Sequence, residues 1–236
     1  MPACTERPRR ATDCLWRGVG VVYLAVLLVG LGAGLWPGVV HHSQAHRTGA
    51  PLPTLQAVAV AQSAFLLLAW PISLAFRSDG RRGPPRPAEA IGELALLIVA
   101  AIPFYLAAGY FSDAALADMV RTAAAVCGGL PLALAAGLWM VRCRPARPAA
   151  LMAVLILTLG VPAAYYIVRE FLGAASAGSV GVLWQISPIT FAWSAGRSQV
   201  RHWVPQPVWP LAVWGLVAVA GVLMNLVIGP KERCNS

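Results

Sequence analysis

LQAVAVAQSAFLLLAWPISLAF (residues 55–76) runs directly into RSDGRRGPPRPAEA (residues 77–90). The first stretch carries no charge over its 22 residues. A bilayer core roughly 30 Å thick needs about 20 consecutive apolar residues to cross it as a helix, because no water is there to satisfy the backbone. The second stretch sets Arg77, Arg81, Arg82 and Arg86 among Pro84, Pro85 and Pro87. An apolar span that ends in a cationic, helix-breaking turn is the unit from which the chain is built.

Comparable apolar stretches run over Gly18–Val39, Ala90–Phe111, Met119–Val141, Ala149–Val168 and Val208–Ile228. Together they predict an all-α polytopic membrane protein with six transmembrane helices. Composition agrees: hydrophobic residues make up 58% and charged residues 11% of the 236 residues. Soluble domains carry about 25% charged residues. A basic N-terminus (1–17), a six-helix domain (18–228) and a short tail (229–236) account for the chain.

The cations give the expected orientation. Arg7, Arg9, Arg10 and Arg17 precede the first span. The loop after the second span has the four arginines above, the loop after the fourth has Arg142, Arg144 and Arg147, and the tail has Lys231 and Arg233. These thirteen fall on one side. The other side has five: Arg47, Arg121, Arg169, Arg197 and Arg201. Cationic loops resist translocation, so the prediction is an N-in, C-in topology with the tail cytoplasmic. Topology thus explains the net charge of +9, and nucleic acid is not an expected partner, because the charges lie in short turns rather than on one surface. The first span reads as a retained helix, being longer than a signal-peptide core and lacking a small-x-small cleavage site. One Lys against seventeen Arg points to a GC-rich bacterial genome and hence the inner membrane.

Cys4, Cys14, Cys143 and Cys234 fall on the expected cytoplasmic side, where thiols stay reduced, and Cys127 lies within the fourth span. No CxxC spacing occurs. Pro103, Pro131 and Pro162 lie inside spans, where each removes a backbone hydrogen bond, whereas Pro37, Pro71 and Pro210 are expected to mark span boundaries. Small residues recur at four-residue spacing as Gly30/Gly34 and as Gly129/Ala133/Gly137, a spacing that lets helix backbones approach closely. Gln62 and Asn225 are the strongly polar side chains well inside spans. Glu93 marks the inner end of the third, and Asp118 and Arg121 frame the outer end of the fourth. A proton-coupled carrier would place a carboxylate or His near the midplane. None is found there, which argues against secondary transport.

Between the fifth and sixth spans, FLGAASAGSVGVLWQISPITFAWSAG (171–196) carries Glu170 just before it but no charge within it. Gly173, Gly178, Gly181 and Pro188 break it, so the expectation is a re-entrant pair of short helices in the outer leaflet. Trp184, Trp193, Trp203 and Trp209 would lie at headgroup level.

Motifs for chemistry are few. The outer loop HHSQAH supplies His41, His42 and His46, which read as a solvated polar loop rather than a metal site for want of converging ligands. Ser176, Ser179 and Ser187 have no His on another span to activate them. HExxH and phosphate-binding Gly-rich Lys motifs are missing from the sequence. The expectation is therefore a non-enzyme with no catalytic, cofactor-binding or metal site and no cofactor.

Six spans, both termini inside and a re-entrant segment before the last span resemble the type-2 ABC exporter permease family. Locally, the second span with its interior Gln62 and closing Trp70-Pro71, and the Ser-Pro turn in WQISPITFAW (184–193), are similar to that family. The resemblance implies a half-transporter that works with a second permease copy and a separate ATPase chain. One departure stands out: the loop at 77–90, where such proteins usually carry an amphipathic coupling segment, is too Pro-rich for a regular helix outside Ala88–Glu89. The alternative is a non-transporting scaffold or assembly factor for a respiratory or envelope complex.

Overall fold

A computed structural model of the chain describes residues 7–40, 53–79, 87–142, 145, 147–172, 186–196 and 209–227. Among these residues every regular element is helical and no strand occurs. Ten α-helices follow in chain order: α1 (Arg7–Val40), α2 (Pro53–Ala64), α3 (Trp70–Asp79), α4 (Pro87–Phe111), α5 (Leu116–Gly128), α6 (Leu130–Arg142), α7 (Arg147–Leu155), α8 (Val161–Leu172), α9 (Pro188–Ala195) and α10 (Trp209–Val227). Two π-helical segments, Phe65–Ala69 and Ile156–Gly160, join α2 to α3 and α7 to α8.

Five helical stretches are long and apolar enough to cross a membrane: Gly18–Leu35, Pro53–Ser78, Pro87–Phe111, Leu116–Arg142 and Arg147–Ala164. This is a multi-pass membrane protein by that measure. The outward faces suit a bilayer. Val21, Val29, Leu96, Val99 and Leu216 are all exposed, a run of apolar surface that water would penalise and lipid tails do not. α10 stands where the sixth span is expected.

Prolines shape three of the spans, and two boundary expectations need correcting. Pro71 was expected to close the second span. Instead, helix continues beyond it to Asp79. A proline has no N–H for the carbonyl four residues back, and its ring crowds that carbonyl. Here the turn before it widens, and the Trp70 N–H donates to the Phe65 carbonyl five residues earlier. The fifth span repeats the device. The Val161 N–H donates to the Ile156 carbonyl, with Pro162 next in sequence. In the fourth span Pro131 follows a break at Gly129 instead. Pro37 also lies inside its helix, which runs on to Val40. Pro210 does mark a boundary, at the start of α10.

Both small-residue stripes lie at close helix contacts. A Cβ on Gly30 would come within 2.8 Å of the Ala61 Cβ, and one on Gly34 would run into the Thr54 backbone, so α1 and α2 pack antiparallel with main chains nearly touching. In the fourth span Gly137 makes room for the Trp70 ring, 2.9 Å from where a Cβ would stand, and Ala133 is fully buried. Gly128 receives Leu211 of α10, and Gly129 faces Pro188 of α9. The break in the fourth span is thus the notch into which the later helices fit.

The bundle has two distinct ends. One bears the tight α4–α5 turn at Ser112–Ala115, where Asp113 takes a left-handed φ of 50°, tolerable for a short polar side chain. The other bears the close of α3 and the start of α4. There Arg77, expected in the cationic loop, lies within α3, buried, and forks onto Glu93 of α4 at 2.8 and 2.7 Å. Arg147 caps the same end of α6 by donating to the Met140 carbonyl at 2.6 Å.

Candidate functional site

The short helix α9 is eight residues long, about 12 Å, too little to cross a bilayer. Its residues Pro188, Ile189, Thr190, Phe191, Ala192 and Ala195 are nevertheless buried. A helix end inside a bundle must find partners for its last carbonyls. At this one, Arg121 of α5 donates to the Ala195 carbonyl from Nε at 3.2 Å and from Nη2 at 2.9 Å. Thr122 Oγ1, whose single proton is shared with the Asp118 carbonyl at 2.7 Å, reaches the same oxygen at 3.2 Å. Two residues back, Gln56 Nε2 of α2 donates to the Trp193 carbonyl at 2.9 Å. Gly196 lets the chain pass: a Cβ there would meet Gln56 at 2.6 Å.

Charge reinforces the clamp. The C-terminus of a helix carries partial negative charge, which a guanidinium offsets. Arg121 also pairs with Asp118 Oδ1 at 2.9 Å, one turn earlier on α5. Asp118 sits in the first turn of its own helix, where a carboxylate is favoured.

The other end of α9 is held differently. Ser187 Oγ donates to the Thr158 carbonyl at 3.3 Å. That carbonyl is the one Pro162 cannot serve, so the widened turn in the fifth span offers an acceptor and α9 uses it. From α10, Trp214 Nε1 donates to the Ile186 carbonyl at 2.8 Å, and its ring meets Phe191 edge-on at 5.2 Å. The second, fourth and fifth spans and α10 therefore converge on one short helix.

A second polar node lies deeper. Gln62 Nε2 donates to Tyr23 Oη at 3.0 Å, and Tyr23 Oη donates to the Leu97 carbonyl at 2.8 Å, joining the first three spans. Tyr23 also packs on Phe65, the first residue of the π segment, with ring centroids 4.8 Å apart. Gln62 Oε1, Ser63 Oγ, Tyr105 Oη and Trp70 Nε1 are buried with no hydrogen-bond partner among the described residues. Each such atom carries a desolvation cost of about 1–3 kcal/mol.

Several sequence-flagged residues find a place in this arrangement. Gln62 centres the deeper node, Asp118 and Arg121 form the clamp, and Glu93 pairs with Arg77. Ser187 holds α9 and so has a structural partner. Trp193, expected at headgroup level, is exposed at the same end as the clamp. Cys127 is a free, partly buried thiol in the fourth span. His41, His42, His46, Ser176, Ser179, Trp184 and Trp203 lie outside the described residues, as do the side chains of Asn225 and Trp209. Among the described residues no three His, Cys, Asp or Glu side chains gather as metal ligands would.

Sequence reading missed Tyr23, Gln56, Tyr105, Thr122 and Trp214. Tyrosine and tryptophan count as apolar in a span, and their polar atoms matter only once a facing carbonyl is known. Gln56 and Thr122 lay close enough to span ends to pass as boundary residues. Comparison with protein-family models, with curated proteins and with solved structures found no match.

Proposed function

We propose that this chain is the membrane-spanning permease subunit of an ABC-type exporter in a bacterial inner membrane, acting with a separate ATPase chain and a second permease copy. The observation that supports it most is α9: a half-membrane helix buried within the bundle immediately before α10. A helix of that kind would fit the re-entrant segment which the type-2 permease resemblance implies. With α10 as a sixth span, both termini would lie inside, and the chain would have no catalytic role of its own.

In this reading force enters from the cytoplasmic side through the loop between the second and third spans. Arg77 is committed to Glu93, and Arg82 and Arg86 lie with Arg81 beyond the described residues. Arg81 and Arg82 are then the docking candidates for an acidic groove on an ATPase. Purification of the tagged chain from its native membranes should bring an ATPase subunit with it. Arg81→Lys with Arg82→Lys keeps the charge but loses bidentate pairing with carboxylates. The double variant should insert normally, with reporter fusions at Arg82 and Arg144 cytoplasmic and one at His42 external, and should lose the ATPase. Retention of the ATPase would remove this loop from the coupling site. Absence of any ATPase partner would favour the scaffold or assembly-factor reading.

A further inference from the structure

Among the described residues, five buried side-chain atoms on or beside adjoining helices have no hydrogen-bond partner: Asp118 Oδ2 on α5, Ser112 Oγ just past α4, Tyr105 Oη on α4, and Gln62 Oε1 and Ser63 Oγ on α2. Every one of these residues is more than nine-tenths buried. They are ordered along the bundle. Tyr105 belongs to the buried face of α4 that also holds Leu97, Ala101 and Ala108, and the buried Ser112 follows directly after that helix. Asp118 begins the buried stripe of α5 at the same end. By helical rise, Tyr105 lies about 9 Å in from Phe111, and Gln62 about 13 Å in from Pro53. α2, α4 and α5 pack on one another. The unpartnered atoms therefore descend from the α4–α5 turn towards the middle of the membrane. At the turn, an open cleft of about 330 Å³ is lined by Gly109, Tyr110, Asp113 and Met119 among others.

We propose that water binds along this file, entering at the α4–α5 turn and reaching the Gln62–Tyr23 node. Buried water settles where two to four polar partners can hold it, and apolar voids stay dry. The file combines pure acceptors (the Asp118 carboxylate and the Gln62 amide oxygen) with hydroxyls that both donate and accept. That mixture suits a chain of water molecules better than an ion of either sign. The proposal is independent of the ATPase partner.

Radiolytic footprinting of the full chain in lipid nanodiscs tests it, because hydroxyl radicals form from water and react beside it. Tyr105 and Tyr23 should be modified several-fold faster than Phe191 and Trp214, which are as deeply buried but lie away from the file. Equal rates would overturn the proposal. In a Gln62→Leu variant the Tyr105 rate should fall; an unchanged rate would detach Gln62 from the file and overturn its stated extent. A dry interior predicts that Tyr105→Phe raises Tm by removing an unsatisfied hydroxyl, whereas a hydrated one predicts a fall. A higher Tm would also overturn it, and the footprint of the parent chain stands even if a variant fails to fold.

Discussion

Glu93→Leu is expected to destabilise the protein by about 3–5 kcal/mol, the range for removing one partner of a buried ion pair. Arg77→Met should cost less, about 2 kcal/mol, although both changes break the same two hydrogen bonds. The asymmetry follows from acid–base chemistry. A stranded glutamate can take up a proton, and Glu93 keeps 16% of its side chain exposed. A stranded guanidinium cannot lose one, and Arg77 is 3% exposed. It would retain the Ser73 carbonyl, 3.3 Å from Nε, but lose the bidentate pairing with Glu93. The double variant, Arg77→Met with Glu93→Leu, should recover most of the loss, since an apolar pair can replace a buried salt bridge at little cost. Thermal unfolding of all four proteins in one detergent closes the cycle. A neutral Glu93→Leu would show that the pair does not hold α3 to α4.

Arg121→Ala should be comparably damaging, by about 3 kcal/mol, because it strands the Asp118 carboxylate and withdraws two of the three donors at the Ala195 carbonyl. Arg121→Lys should fall in between, since an ammonium lacks the fork that reaches carboxylate and carbonyl together. A second readout separates local release from general loss of fold. With the native cysteines replaced by serine, a Ser194→Cys probe should react with a water-soluble maleimide several-fold faster in the Arg121→Ala background. The Arg77–Glu93 variants should leave that rate unchanged. If the probe responds equally to both, the clamp has no specific hold on α9.

Five spans were legible because hydropathy over about 20 residues is a one-dimensional property, and the five membrane-length stretches begin and end within a few residues of the expected ones. The clamp was half legible. Asp118 and Arg121 stood out as charges at a span end, but the acceptor for Arg121 is a backbone carbonyl more than seventy residues away, and no side-chain pattern announces a carbonyl. Arg77 was misplaced because a run of arginines and prolines reads as loop from its first residue. The helix in fact carries one more turn, far enough for Arg77 to reach Glu93. Both π segments escaped periodicity analysis for a similar reason. Proline signals a lost hydrogen bond, but whether the helix bends, breaks or widens depends on what packs beside it. In the fourth span it broke, where Leu211 and Pro188 needed the space; in the second and fifth it widened.

A widened turn holds one residue more than an α-turn, and one residue is worth about 100° of rotation about the helix axis. Everything beyond Phe65–Ala69 is therefore out of phase with everything before it. Gln62 and Arg77 serve one continuous span, yet the direction in which each points is set by a different angular origin. The surplus residue acts as a dislocation that lets the half of the helix around Gln62 face Tyr23 while the other half turns Arg77 onto Glu93. A strictly regular helix of the same sequence could satisfy one of these contacts but not both.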